Sequence, residues 1–424
     1  MEAARDLKDR YRDLFLVSLG RYGRVTQSKS LPSLAHTVFE SLKYAGKTLR
    51  DMIRYGHNPI IDHPLAGDRR VWLMVGTRNN LDSLNFIREA RPDCQVLVFS
   101  KDNRRLGPFP RFNLAPQGLY WWKMLWLLPA MWKAYGNMVF FRFDAFLQGL
   151  GCYERALGIL SLERPRALIF ANDHSAPIRA FAQAGRQLGI PVLYLQHASV
   201  SPFFPPLIFD LSLLEGRVAL ETYRRCGPVS GRVELVGMPK FDPYHKRRNE
   251  GKQILRIGVC TNMLDNKGKV LELLNALTAH FPHMSISYRA HPRDTRRLPL
   301  PEGVRVSETE TEGIFDFLTV QDLIIAGDTS THLEATLLNV SSLYYPMGAS
   351  VEDYYGFVAN GVVERMDDLP ALMDWIKRHQ DDRPPVYQRA KPYHALVGTP
   401  MEGKSRELAL RIIDDHLNQA WNGK

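Results

Sequence analysis

The sequence lacks the short motifs that identify several large classes of enzyme. It has no Asp-x-Asp, the carboxylate pair that holds a divalent metal in one large class of sugar transferases, and no HExxH or CxxC pair to indicate zinc. No Gly-x-Gly-x-x-Gly follows a strand pattern, and no Gly-x-Ser-x-Gly nucleophile elbow occurs. We therefore expect no bound metal and no other cofactor, and the sequence gives no support to an α/β-hydrolase.

Long apolar runs and clustered cysteines are also missing. No stretch of eighteen uncharged apolar residues exists, and the first residues, MEAARDLKDR, are charged where a secretory signal would be apolar. The four cysteines lie far apart, which is typical of a protein from a reducing compartment. These features predict a cytoplasmic protein, either soluble or peripheral on the inner membrane face.

Length and charge narrow the choice of partners. The 424 residues suit two domains of about 200 residues each. Lys and Arg total 55 against 45 Asp and Glu, a net charge of +10 that favours anionic partners. Because the basic residues are dispersed and no nucleic-acid-binding module is visible, we expect no nucleic acid partner. The anionic partners that remain are phosphorylated substrates and an anionic membrane surface.

Short apolar runs alternate with helical patterns along most of the chain, which predicts an α/β fold with parallel sheets buried on both faces. Residues 1–60 are expected to form an N-terminal helical segment that carries half of the net charge. One α/β unit is predicted for 65–244 and a second for 254–400, with a final amphipathic helix at 403–421. The strand candidates are VWLMVG, QVLVFS, RALIFAN, VLYLQH and VELVGM in the first unit, and LRIGVCTN, MSISYRAHP, VRVSE, DLIIAGD and SLYYPMG in the second.

Two strand candidates of the first unit end in histidine. RALIFANDHS ends at Asp173-His174, and VLYLQHAS ends at Gln196-His197. Since parallel strands bring their carboxyl ends to one edge of the sheet, both imidazoles are expected there, where one could take a proton from a hydroxyl near neutral pH. Asp173 could orient such a base. The alternative is that each histidine caps a helix or bonds to the backbone.

The second unit offers groups suited to a phosphate. YRAHPRD ends a strand with Arg289, His291 and Arg293, and guanidinium groups beside an imidazole favour an oxyanion. The next strand ends at a helix start whose N–H groups and hydroxyls could bind an anion, with a carboxylate one turn later for a ribose. Plain N-capping is the alternative. The residues in question are Asp328, Thr329, Ser330, Thr331 and Glu334.

Residues 118–136, GLYWWKMLWLLPAMWKAYG, hold four of the seven tryptophans together with Lys123 and Lys133. Aromatic and basic side chains on a short apolar helix are typical of an interfacial membrane anchor. With the basic N-terminal segment, they predict a contact with the inner membrane surface. A helix buried in the core or between the domains fits the pattern equally well.

Four segments carry a resemblance to a known family. They resemble bacterial surface-polysaccharide transferases with the GT-B fold, which include CDP-glycerol glycerophosphotransferases, polysialyltransferases and Kdo transferases. The resemblance covers about residues 165–412 and implies two Rossmann-like domains that face a cleft, with 403–421 packing back across them. The segments are QHASVSPFFPPLIFDLSLLEG (196–216), VELVGMPKFD (233–242), YRAHPRD (288–294) and DTSTHLEATLLNVSSLYYPMG (328–348).

The resemblance also implies an activity. It implies metal-independent transfer of a sugar, or of a glycerol-phosphate-like group, from a nucleotide-activated donor to a hydroxyl of a surface glycan or lipid-linked acceptor. His197 would be the general base, although Ala198 stands where the family's Gln-His-Gly pattern has glycine, and His174 is the second choice.

On the donor side, the resemblance implies that His291 binds the donor phosphates together with Ser330 and Thr331, and that Glu334 binds the ribose. Two other functions stay open. One is a UDP-N-acetylglucosamine 2-epimerase of the same fold, which would need cleft carboxylates such as Asp173 and Asp328. The other is a non-catalytic, membrane-associated polysaccharide assembly factor.

Overall fold

The computed structural model describes residues 34–67, 70–99, 106–135, 143–348 and 353–422. Most of the predicted N-terminal helical segment, residues 1–33, therefore lies outside the described residues. Within them the chain forms two α/β units, as predicted, each built on a mostly parallel sheet. Helix α1 (Leu34–Tyr55) precedes the first sheet.

The first sheet has eight described strands in the order β1-β4-β3-β2-β5-β6-β7-β8, and only the pairing of β1 with β4 is antiparallel. Its strands are β1 (Ile60–Ile61), β2 (Val71–Val75), β3 (Cys94–Val98), β4 (Arg111–Phe112), β5 (Ala167–Phe170), β6 (Val192–Leu195), β7 (Leu211–Leu214) and β8 (Arg232–Leu235). Its helices are α2 (Arg78–Ala90), α3 (Trp121–Tyr135), α4 (Phe143–Glu163), α5 (Ala176–Gln187) and α6 (Arg217–Cys226), and 3₁₀ turns lie at Ala115–Tyr120 and Pro239–Tyr244.

The second sheet is parallel throughout its six described strands, in the order β11-β10-β9-β12-β13-β14. These are β9 (Arg256–Cys260), β10 (Ser285–Arg289), β11 (Arg305–Val306), β12 (Leu323–Ala326), β13 (Ser341–Tyr344) and β14 (Glu364–Arg365). The helices are α7 (Lys267–His280), α8 (Ile314–Leu318), α9 (Thr331–Leu337), α10 (Leu369–His379) and α11 (Ser405–Asn422), with a 3₁₀ turn at Tyr387–Ala390.

Helices cover both faces of each sheet, which is why the central strands are continuous apolar runs. In β2 all five residues are buried, and alternate side chains enter different cores. Trp72 packs into the core that contains Phe181 of α5, whereas Leu73 packs into the core that contains Ile87 of α2. The second sheet divides its strands in the same way.

The last helix returns to the first unit. Ile413 of α11 shares a buried core with Leu73, so α11 completes the face of the first sheet that α2 only partly covers. Its start is fixed by Asp242, whose carboxylate accepts the Ser405 N–H at 3.1 Å and the Arg406 N–H at 2.7 Å. Two segments therefore connect the two units: the segment that follows β8, and α11.

Candidate functional site

The end of β5 carries a carboxylate–imidazole pair. His174 Nδ1 lies 2.9 Å from Asp173 Oδ1, and Tyr223 donates its hydroxyl to Asp173 Oδ2 at 2.6 Å. Burial alone would raise the pKa of Asp173, but the hydrogen bonds from His174 and Tyr223 hold it below its usual value. Because an ionised carboxylate only accepts, we assign the proton to Nδ1 of His174, which leaves Nε2 as a hydrogen-bond acceptor.

The pair combines a hidden carboxylate with an accessible ring. The Asp173 side chain is 1% exposed, whereas that of His174 is 33% exposed. Phe204 lies against the imidazole, with ring centroids 4.6 Å apart. An imidazole that a buried carboxylate orients through Nδ1 has the arrangement of a general base.

His197, at the end of β6, has a different environment. Burial, followed by the nearby His174 and Lys240, lowers its pKa to about 4. Its Nδ1 is buried and has no hydrogen-bond partner. His197 is therefore neutral at physiological pH and lies beside His174 at the same sheet edge, as the sequence predicted.

Glu215, which follows β7, belongs to the same edge, and the sequence analysis missed it. Its backbone N–H donates to Gln196 Oε1 at 2.9 Å, and Gln196 Nε2 donates to Glu215 Oε2 at 3.2 Å. Burial raises the pKa of Glu215 to about 8, and Glu334 adds to the rise while Lys240 opposes it. Gln196 thus holds a buried acid, and its Nε2 also donates to the Ala198 carbonyl at 3.0 Å.

Lys240 connects the two units, and it too was missed. It lies in the 3₁₀ turn after β8, and its Nζ is 2.5 Å from Glu334 Oε1 in helix α9 of the second unit. Burial alone would lower the pKa of Lys240, but Glu334 and Glu215 raise it above its usual value. Glu334, predicted to bind a ribose, is thus already ion-paired, and a ribose would share it with Lys240.

Arg289, at the end of β10, is bound within its own unit. Its guanidinium donates to the Ser307 hydroxyl and, at 2.9 Å, to the Glu312 carbonyl. The residue is 7% exposed, and burial lowers its pKa. The two hydrogen bonds fix the loop between β11 and α8, so at least these N–H groups are not free for a phosphate.

His291 and Arg293 lie just beyond that strand and are more accessible. The Arg293 N–H donates to His291 Nδ1 at 3.1 Å, so we assign the ring proton to Nε2, which is then a donor. Burial and the neighbouring Arg293 lower the pKa of His291. Arg293 itself is exposed. Both residues are therefore placed to donate to an anion.

The start of α9 is compact. Thr329 Oγ1 lies 3.1 Å from Thr331 Oγ1 and accepts the Thr331 N–H at 3.3 Å. Ser330 makes no capping hydrogen bond and is partly exposed. Of the predicted hydroxyls, that of Ser330 is thus the most available to a ligand.

Asp328 orders a neighbouring loop. Its carboxylate accepts the Tyr354 N–H at 2.7 Å and the Tyr344 hydroxyl at 3.0 Å. Tyr354 in turn stacks on Phe203 of the first unit, with ring centroids 5.7 Å apart and an interplanar angle of 18°. The loops after β6 and β13 therefore meet above the strand ends.

The described residues thus bring three of the predicted groups, His174, His197 and Glu334, to facing sheet edges. His174, His197 and Glu215 belong to the first edge and Glu334 to the second, and Lys240 is close enough to His197, Glu215 and Glu334 to influence their charge. An ion pair and an aromatic contact cross between the units.

No family model matches the chain, and no curated protein sequence matches it. Solved structures do: a Listeria monocytogenes protein assigned as a UDP-N-acetylglucosamine 2-epimerase has a TM-score of 0.58 at 12% identity over 84% of this chain and 98% of its own. The structure of S. aureus MnaA with UDP has a TM-score of 0.54 at 14% identity, over 82% of this chain and 97% of its own. The Neisseria meningitidis epimerase bound to UDP-GlcNAc has a TM-score of 0.54 at 12% identity, over 82% of this chain and 100% of its own.

Identities this low establish the fold alone. The architecture is a two-domain, Rossmann-like GT-B fold of the kind that these structures share, which confirms the predicted fold class. The finer resemblance to surface-polysaccharide transferases stays a prediction. The ligands UDP and UDP-GlcNAc are stated for those two proteins.

Proposed function

We propose that the chain is a glycosyltransferase that moves a sugar, or a glycerol-phosphate-like group, from a nucleotide-activated donor to a hydroxyl of a surface glycan or lipid-linked acceptor. The observation that carries the proposal is the pair of Asp173 and His174 at the edge that faces the second unit. A buried carboxylate that orients an accessible imidazole is suited to deprotonate an alcohol. CMP- or CDP-linked donors are the first to try, on the resemblance alone.

His174 is the better candidate for the base, ahead of His197. Asp173 orients the His174 ring through Nδ1 and stabilises the imidazolium that forms when a proton reaches Nε2. Burial lowers the pKa of His197 to about 4, which makes it a weak proton acceptor near neutral pH. We assign His197 to the wall of the acceptor site, next to His174.

Transfer of a sugar forms one bond at its anomeric carbon and breaks another. The acceptor hydroxyl gives its proton to His174 Nε2 and its oxygen bonds to the anomeric carbon of the donor. The bond from that carbon to the phosphate oxygen breaks, and the electron pair leaves with the phosphate. Hydrogen bonds from His291 Nε2–H, Arg293 and the Ser330 hydroxyl would stabilise the negative charge that develops on the phosphate. Thr331, at the start of α9, would complete the phosphate site.

The ribose is assigned to Glu334, shared with Lys240. A carboxylate accepts from two hydroxyls at once, and the ion pair uses one of its oxygens at 2.5 Å. The Glu334 side chain is 6% exposed, so a ribose there would be largely removed from water. Asp328 has an indirect part, since it holds the loop that carries Tyr354.

Catalysis is expected without a metal ion. In the part of the chain that the structure describes, no group of three or more His, Cys, Asp or Glu side chains is arranged to hold one. Because the resemblance implies metal-independent transfer, activity should persist after exhaustive treatment with EDTA. Loss of activity on chelation, with recovery on addition of a divalent cation, would contradict this part of the proposal.

One observation favours a second candidate, a UDP-N-acetylglucosamine 2-epimerase. That reaction needs carboxyl groups to move a proton at carbon, and Glu215 is a buried acid whose pKa is raised to about 8 at the same edge. Several of the solved structures with this fold carry that activity in their names. Incubation with UDP-GlcNAc and detection of the C2 epimer by NMR would favour this candidate over transfer.

The decisive experiment has two stages. Thermal-shift measurements against CMP, CDP, UDP, GDP and ADP first identify the base, because stabilisation grows with ligand concentration relative to the dissociation constant. Release of that nucleotide from its sugar donor is then measured for the wild type, for His174→Ala and for the control His283→Ala, an exposed histidine of the second unit. We expect loss of turnover in His174→Ala alone. Equal turnover in all three proteins would refute the proposed base, and failure of every nucleotide to bind would favour a non-catalytic assembly factor.

A further inference from the structure

Helix α3 presents an exposed row of tryptophans. Trp121, Trp122, Leu125, Trp126 and Trp132, here called the tryptophan face, are 48–81% exposed. At about 100° per residue they fall within one arc of roughly 140° around the helix. Met124 and Met131, on the opposite side, are buried in the first core. The helix therefore has one face that anchors it to the protein and one apolar face that no described residue covers.

Helix α1 has an outer face of the same kind. Val38, Phe39, Leu42, Leu49 and Ile53 are 48–80% exposed and share an arc of about 100°. Its opposite side, with Thr48 and Asp51, is buried. Both α1 and α3 contact the 3₁₀ turn Ala115–Tyr120, so the two helices lie on either side of one turn.

Basic side chains accompany both faces. On α1, Lys43, Lys47, Arg50 and Arg54 are exposed and follow the apolar arc on one side. On α3, Lys133 is exposed beside the tryptophan face, and the helix Trp121–Tyr135 contains no acidic residue. Together α1 and α3 carry six Lys and Arg against two acidic residues, Glu40 and Asp51.

We propose that the outer faces of α1 and α3 form a docking surface for the interface of an anionic lipid bilayer. Tryptophan prefers the headgroup region because its ring is apolar and its N–H is polar, and Lys and Arg bind anionic headgroups. A protein partner would bury such a face without requiring the basic border. None of the described helices is both long and apolar enough to cross a bilayer, so the contact would be peripheral.

The surface begins at the edge of the sheet that carries the candidate site. The turn Ala115–Tyr120 follows β4 directly, and β4 runs parallel to β3, so the turn lies at the carboxyl edge with Asp173-His174. Three strand spacings separate β4 from β5, about 14 Å. If the proposed transferase function holds, an acceptor attached to a lipid could reach His174 while the protein rests on the membrane.

Co-sedimentation of the full chain with vesicles tests the surface without any nucleotide, so the result is independent of the proposed transferase activity. Vesicles of phosphatidylcholine are compared with vesicles in which roughly one third of the lipid is phosphatidylglycerol. We expect binding to the anionic vesicles, weakened by added salt because the attraction is partly electrostatic.

The variants locate the binding. Trp126→Gln should lower the partition constant roughly tenfold and Lys133→Gln about fivefold. The matched control is Leu162→Gln, which removes an equally exposed apolar side chain, 75% exposed, at the end of α4 and should change nothing. Because the Trp126 side chain is 81% exposed, the thermal unfolding midpoint of the Trp126→Gln variant should equal that of the wild type.

Two outcomes would overturn the proposal. One is no binding to anionic vesicles, or binding that Trp126→Gln and Leu162→Gln weaken equally. The other is a dimer in light scattering that Trp126→Gln dissociates while no vesicles bind, which would make the face an interface between two copies of the chain.

Discussion

Asp173 has two hydrogen-bond partners, and they can be separated by mutation. Asp173→Asn keeps the shape of the side chain but loses the charge that favours the imidazolium of His174. We expect nucleotide release from the donor to fall by about 10²–10⁴. Steady-state rates at saturating donor, compared with the wild type, measure the effect.

Tyr223→Phe is the control for this change. It removes the other hydrogen bond to Asp173, at 2.6 Å, and leaves His174 in place. Both variants lose a buried hydrogen bond, so both should unfold at lower denaturant concentration. Only Asp173→Asn should lose turnover by orders of magnitude, and a similar loss in Tyr223→Phe would indicate that Asp173 has a structural role alone.

Glu215 should make stability depend on pH. Its pKa is raised from 4.5 to about 8 in the folded chain, so the folded state binds this proton more tightly than the unfolded state. The stabilisation is complete below about pH 4.5 and is lost as pH rises towards 8. In Glu215→Gln that loss is absent. The unfolding midpoint of this variant, relative to the wild type, should therefore rise between pH 5 and pH 9.

Glu221→Gln is the matched control, since Glu221 is 53% exposed and forms an ion pair with Arg217 on the same helix. Its midpoint relative to the wild type should not change across this pH range. A parallel pH dependence of the two variants would show that Glu215 ionises like a surface carboxylate.

The sequence predicts His174 and Asp173 as a pair because they are adjacent and end a strand. It could have predicted Glu215 by the same rule, since Glu215 follows the apolar run LSLL. Asp210 and Ser212 interrupt the apolar pattern and so conceal this strand in the sequence. In the folded chain Asp210 accepts the Val192 N–H at 2.9 Å and Ser212 is buried, so both are compatible with a central strand.

Among the elements, α11 depends on one carboxylate. Asp242 accepts the N–H groups of Ser405 and Arg406, two of the donors that have no partner within the helix. Asp242→Ala should lower the free energy of unfolding by about 1–2 kcal/mol, the usual cost of losing a helix cap. Urea unfolding followed by circular dichroism measures it.

Asp367→Ala is the comparison, because the Asp367 side chain is 75% exposed and forms a surface ion pair with Arg365. Its effect should stay below about 0.5 kcal/mol. Equal effects would mean that the N–H groups of α11 find other partners when Asp242 is removed.

The same contact concerns a segment whose letters match a phosphate-binding P-loop. GTPMEGKS, residues 398–405, has the letters of a P-loop, yet a 3₁₀ turn and not a strand precedes it. The N–H groups that would bind a phosphate are bound by Asp242. The sequence alone shows that no strand precedes the motif. It does not show that the N–H groups are occupied, because Asp242 lies more than 160 positions away.

At the scale of the molecule, the cleft is determined by contacts between distant parts of the chain. The Ala395 N–H donates to the Glu215 carbonyl at 2.8 Å, and the Val218 N–H donates to the Pro392 carbonyl at 3.0 Å. A Cβ at Gly216, which lies between them, would stand 2.4 Å from the Tyr393 backbone. Periodicity identifies the strands on each side, but it cannot show which loops of the two units touch.

The contact between Lys240 and Glu334 supplies the test at this scale. Their side chains are 25% and 6% exposed, and they join segments 94 residues apart. Removing one partner leaves a charge in a poorly solvated site, so Lys240→Met should lower the free energy of unfolding by about 2–4 kcal/mol. The control Lys246→Met, at an exposed position in the same connecting segment, should change it by less than about 0.5 kcal/mol.

The double variant Lys240→Met with Glu334→Gln separates the ion pair from the rest of the interface. If the two side chains act as a pair, the double variant should be less destabilised than the sum of the single variants by about 1–3 kcal/mol. Glu334→Gln should also weaken nucleotide binding, because a ribose loses a carboxylate acceptor, whereas Lys246→Met should not. Additive stabilities would show that the two units are held together by their backbone contacts, with Lys240 and Glu334 contributing independently.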